Sequence, residues 1–189
     1  GSADAAQQII QAAGDVPVIF FNRAIEGDGE EGTVLGAYEN VAFIGTTDDP
    51  TDNLEWHIKI KEQGTLKTVV APSFRPDKAF NIDKAGWKEY IASLSSVCGI
   101  KINSFESLKN ALRERMNFFD KVGCKVSDHG LDFMVYCPAD EKTLDKIIKK
   151  GLAGKTVTTT EAEMLKTELL KFCGKEYVRL GWAMQIHYN

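Results

Sequence analysis

The sequence predicts an α/β fold: a parallel sheet of about five strands flanked by helices. Three observations carry this. Short apolar runs alternate with longer segments of helical period along the 189 residues. The helical segments are bounded by capping residues and glycines. Polar and ionisable clusters directly follow three of the apolar runs, as ligand-binding loops follow strands in parallel α/β proteins.

Residues 3–13 read as a short helix ending at Gly14, and residues 16–21 as a first strand. Residues 27–32 form a flexible acidic loop, and Tyr38-Glu39-Asn40 turns into a second strand over 41–45. Asp49-Pro50 opens a helix running to about Gln63, because Asp accepts from free amides and Pro is tolerated at the first helical position. Gly64 ends it, and a third strand spans 68–71. Asn103 and Glu106 have capping-box spacing, and Phe105, Leu108, Leu112, Phe119 and Val122 lie on one helical face up to Gly123. A fourth strand follows at 124–127. Residues 143–150 and 161–173 read as further helices, the second behind a Thr160–Glu163 capping box, and 182–187 as the last strand.

Composition excludes several functions. Net charge is −4 with no basic stripe, so the electrostatic footprint of a nucleic-acid binder is absent. No apolar run approaches the ~20 residues that span a bilayer, so no membrane partner is expected. Gly1-Ser2 reads as an expression scar. Cys98, Cys124, Cys137 and Cys173 include no Cys-x-x-Cys pair, which argues against a zinc ribbon or thioredoxin motif. Four reduced thiols, two in apolar contexts (Cys124, Cys173), fit a cytoplasmic protein.

The candidate site lies in three post-strand clusters. Arg75 sits between Phe74 and Pro76; its planar fork suits a carboxylate or phosphate, or it pairs with Asp77 or Asp49 to hold the loop. Asp128-His129 supplies an oriented imidazole or a base, or a capping residue beside a structural histidine. His187 ends the last strand as an acid, a base, a ligand or a structural group. His57, inside a helix, is expected partly exposed and without a role. Thr46 to Pro50 opens a helix, but its two aspartates argue against an anion; they cap the helix or bind a sugar hydroxyl. Three histidines without a His-x-His pair do not force a metal site, so none is expected in this chain.

From about Asn40 to Tyr188 the chain resembles uronate (glucuronate) isomerase. The resemblance rests on Gly45-Thr-Thr-Asp-Asp-Pro50, Leu54-Glu55, His57, Phe74-Arg-Pro-Asp-Lys-Ala79, Gly86-Trp87, Arg115, Phe118-Phe119, Gly123-Cys124, Ser127-Asp-His-Gly130, Gly181-Trp182, Gln185 and His187. It implies part of a TIM barrel and aldose–ketose isomerisation of a sugar acid such as glucuronate or galacturonate. It implies that Arg75 binds the uronate carboxylate and that Asp128, His129 and His187 line the sugar as catalytic residues. The complete family enzyme holds zinc or a similar divalent metal through a His-x-His and an aspartate on other strands. Those segments are not in this sequence, so a chain inactive alone is expected. Residues 3–46, through Ile9-Ile10, 16–22 and 41–46, resemble the N-terminal lobe of periplasmic galactose/glucose-binding proteins. This predicts a recombined or engineered chimera joined near 46, with a 1–46 and a 47–189 segment in one compact domain, and favours an open, flavodoxin-like sheet over a partial barrel because the N-terminal segment resembles an open-sheet fold. A chimera without catalysis and a sugar-binding module are the competing functions. Uncovered edge strands, 182–187 among them, predict a homodimer.

Overall fold

The computed structural model describes residues 18–21 and 41–188. The helix expected at 3–13, the loop at 27–32 and the turn at 38–40 lie outside them. The described elements are β1 (Val18–Phe21), β2 (Val41–Asp48), α1 (Glu55–Gln63), β3 (Val69–Phe74), α2 (Asp77–Phe80), α3 (Trp87–Cys98), α4 (Phe105–Val122), β4 (Val126–Leu131), α5 (Glu141–Leu152), α6 (Thr159–Leu180) and β5 (Ala183–Tyr188). The five strands pair in parallel in the order β1-β2-β3-β4-β5.

That order decides between the two expected architectures. A flavodoxin-like sheet reverses direction at a switch point. Here every crossover steps the same way, so right-handed connections put the helices on one side and the sheet curls as a half-barrel. The core lies between that outer face and the helices. Phe74 of β3 packs edge-on to Phe119 of α4, with ring centroids 5.1 Å apart, and also meets Tyr177 and Trp182. The α4 stripe of Leu108, Ala111, Leu112, Met116 and Phe119 is wholly buried. Among the described strands, β3 and β4 join at one ladder pair only, Phe74 with Ser127.

Caps explain the helix ends, and several fall elsewhere than the sequence indicated. The α4 box pairs Ser104 with Ser107, one residue beyond Asn103 and Glu106, because the short Ser107 hydroxyl reaches back to the Ser104 amide at 2.9 Å. The α6 box is Thr158 with Glu161, two residues before the expected one. Asp49 does not open a helix. It accepts the Thr51 amide and Asp52 accepts the Leu54 amide, so two Asx turns intervene and α1 begins at Glu55 behind a left-handed Leu54 (φ 53°). Helices α2 and α3 were not anticipated; Gly86 at φ 83° starts α3. Strands β2, β3 and β4 run three to four residues further toward their carboxyl ends than expected, β5 one residue further, and β1 ends at Phe21 as expected. Trp182 is not an edge residue: it is buried, stacked on Tyr177, and its indole donates to Asp120 at 3.0 Å.

Candidate active site

Alternation along a strand sends successive side chains to opposite faces. Thr46, Phe74, Ser127 and His129 turn to the helices. Thr47 of β2, Arg75 just after β3, Asp128 and Gly130 of β4, and His187 of β5 share the inner face at the carboxyl ends. The pairing registers bring them level: Thr47 lies beside Ser73, Asp128 beside Gln185, and Gly130 beside His187.

Arg75 is the centre. Its Nε donates to Asp77 Oδ2 at 2.8 Å. Its Nη1 lies 3.4 Å from Asp128 Oδ2, and its Nη2 lies 3.4 Å from His187 Nε2. His187 Nδ1 is 3.1 Å from Asp128 Oδ1. Thr47 donates to Asp128 Oδ2 at 3.3 Å. The guanidinium therefore has one short bond and two long ones. Gly130 is what lets it lie there, since a Cβ at that position would overlap Arg75 Nη2 and crowd His187 Nε2. His187 stays half-exposed while Asp128 is largely covered.

The sequence-predicted residues separate in two. Arg75, Asp128 and His187 come together. His129 does not line the inner face with them: its side chain is 0% exposed on the helix side, 2.9 Å from the Tyr177 hydroxyl. His57, expected partly exposed, is buried; its Nε2 lies 2.8 Å from Thr46 Oγ1 and 3.9 Å from Asp48 Oδ2. Asp77, named in the sequence only as a loop partner, is a member of the cluster. The cue was its i+2 spacing from Arg75 behind a φ-fixing proline. Gly130 left a weaker cue, a glycine at a strand's carboxyl end.

Electrostatics follow burial and partners. Burial pushes the Asp77 carboxyl up, but the neighbouring His129 ring and the hydrogen bonds from Arg75 and the Gly130 amide outweigh it, and its pKa falls below the ordinary value of 3.8. Burial raises Asp48 and lowers His57, so that pair favours its neutral forms. Burial also pushes the Cys124 and Cys173 thiols up to about 12, which makes them inert packing groups. Among the described residues no three His, Cys, Asp or Glu side chains converge to hold a metal ion. The described residues therefore do not fit a divalent cation, and no step is routed through one.

The family model for glucuronate isomerase matches residues 20–189. This chain belongs to the glucuronate isomerase family. It is 44% identical over 168 residues to the uronate isomerase of Lachnospira eligens, a match covering 89% of this chain and 36% of that protein. It is 48% identical over 150 residues to the uronate isomerase of Lachnoclostridium phytofermentans, covering 79% and 32%. The fold matches the crystal structure of uronate isomerase from Thermotoga maritima with a TM-score of 0.74 and 33% identity, over 79% of this chain and 33% of that one. Glucuronate isomerase from Caulobacter crescentus matches with a TM-score of 0.72, 25% identity and coverages of 79% and 31%. The chain thus spans about a third of the length of these relatives. The family match begins at residue 20, inside the 3–46 segment assigned to a sugar-binding-protein lobe. A chimera joined near 46 is unsupported. No described helix is long and apolar enough to cross a membrane.

Proposed function

We propose that this chain carries the carboxylate-binding part of a uronate isomerase site, and that the sugar acid lies on the inner face of the half-barrel. The observation that carries this is the convergence of Arg75, Asp128 and His187 from three adjacent strands at their carboxyl ends. The two long contacts of the guanidinium are exchangeable. A substrate carboxylate would accept from Nη1 and Nη2 in bidentate fashion, stronger than either 3.4 Å contact it replaces. Asp128 beside His187 Nδ1 would hold that nitrogen as the N–H, leaving Nε2 to accept a proton. Aldose–ketose isomerisation moves a proton from one carbon to its neighbour while the carbonyl shifts the other way. An imidazole with one free nitrogen and an adjacent carboxylate are groups suited to such transfers. His129, behind the sheet, would support the site without touching substrate.

The chain alone is proposed to be inactive, because the described residues supply no metal cluster. Titration calorimetry at neutral pH tests the binding reading. Glucuronate is expected to bind, glucose to bind at least tenfold more weakly, and Arg75→Gln to abolish the difference. Equal affinity for glucose and glucuronate would overturn it. Fructuronate formed from glucuronate in the presence of zinc or manganese, and lost in Arg75→Ala, would overturn the inactivity.

A further inference from the structure

Behind Arg75 runs a line of polar groups that crosses the sheet. Asp77 Oδ2 accepts both Arg75 Nε, at 2.8 Å, and the Gly130 amide, at 3.0 Å. Asp77 Oδ1 faces His129 Nδ1 at 3.7 Å. His129 Nε2 lies 2.9 Å from the Tyr177 hydroxyl. His129 and Tyr177 are 0% and 1% exposed. The line thus starts on α6, passes through β4 and ends at the guanidinium on the inner face.

Full burial of an imidazole costs free energy unless both nitrogens find polar partners. An apolar side chain would fill the same space between Phe80 and Tyr177 without that cost. The polar choice therefore needs a reason, and the geometry supplies one. Tyr177 meets one nitrogen; the other makes no hydrogen bond and faces, across 3.7 Å, the equally unbonded Oδ1 of the carboxylate that holds Arg75. A free arginine samples many rotamers, and ordering it on binding would cost affinity. Here Nε is fixed by its shortest contact, while the terminal edge keeps only two contacts of 3.4 Å.

We propose that Asp77 is a positioning residue for Arg75, and that His129 and Tyr177 fix Asp77 from the helix side. The fork is pre-set by its Nε, so its Nη1 and Nη2 edge is presented to a carboxylate without reorganisation. The use of that edge rests on the carboxylate reading above; the anchoring of Nε does not.

Side-chain NMR of the arginine Nε–H group tests the anchoring without a ligand. In the wild-type chain the Arg75 Nε–H is expected as a shifted, slowly exchanging resonance. Asp77→Ala is expected to move it to the position of a solvated arginine and speed its exchange at least tenfold, with far-UV circular dichroism unchanged. Should the alanine variant not fold, Asp77→Asn, which keeps volume and one acceptor oxygen, carries the test with a smaller change in the same direction. Tyr177→Phe is expected to shift the His129 ring signals and to speed Arg75 Nε–H exchange by less than the Asp77 variants do; unchanged exchange in that folded variant would overturn the part given to His129 and Tyr177. A wild-type Arg75 resonance, unchanged in shift and exchange in the folded Asp77 variant, would overturn the proposal. A glucuronate titration of the same samples separates the two ideas. Loss of the resonance with no glucuronate binding to wild type keeps the anchoring and removes the carboxylate reading. A tenfold weaker affinity in the Asp77 variant supports both.

Discussion

Gly130 has no room for a methyl group because the Arg75 fork lies against it. The obstructing atom is the far end of a flexible side chain, so the fold can yield. Gly130→Ala is therefore expected to cost less than ~1 kcal/mol of stability, while glucuronate affinity falls about tenfold, some 1.4 kcal/mol. Chemical denaturation and calorimetry on the same variant check the two halves. Asp77 gives a pH signature. Its folded pKa is depressed below 3.8, so its contribution is present above that value and lost as pH falls through the folded one. Acid unfolding should begin there, and Asp77→Asn should remove that part of the slope. Arg75, Asp128 and His187 were legible in the sequence because each follows an apolar run. His129 was misplaced because adjacency to Asp128 says nothing of face; strand alternation puts neighbours on opposite sides.

The β2–α1 connection shows what a short element end can hold. Arg115 of α4 is buried and donates to the Pro50 carbonyl at 2.7 Å and the Asp52 carbonyl at 2.9 Å, pinning the Asx turns. Arg115→Leu removes both charged hydrogen bonds and leaves two carbonyls without that donor. A loss of about 2–4 kcal/mol in urea unfolding is expected. At the end of β2, Thr46 donates to Asp48 at 2.5 Å and Asp48 accepts the Ser73 amide at 3.3 Å. The raised carboxyl of Asp48 and the lowered imidazole of His57 set opposite trends. The Asp48 contribution is complete below 3.8 and is lost as pH rises through its folded value. The His57 contribution is complete above 6.5 and is lost as pH falls through its lowered value. Asp48→Asn should therefore gain stability relative to wild type between pH 3 and pH 7, read from thermal melts across that range. Helix α3 escaped notice because its start is a left-handed glycine without a side-chain cap. Helix α4 stood out because Phe105, Leu108, Leu112 and Phe119 keep one face for four turns.

At the scale of the molecule, five parallel strands in sequential order curl with helices outside and a polar inner face at the carboxyl ends. The alternation of strand and helix was enough to predict the parallel sheet, but not its curl, which depends on the pairing order. The inner-face contacts reinforce the place where β3 and β4 share a single ladder pair, since Arg75 reaches from one to Asp128 on the other. The central claim is that this face binds a sugar acid through Arg75. Backbone NMR titration with glucuronate tests it most directly, because it reports position and affinity together. The account predicts that the largest amide shifts fall on Arg75, Asp128, Gly130 and His187, that they saturate, and that glucose does not reproduce them. The groove of about 250 Å³ beside α6 reaches Asp77 and Gly130 as well as Lys84, Asp132 and Lys166, so shifts on Lys84, Asp132 and Lys166 with none on Arg75, Asp128 or His187 would contradict it.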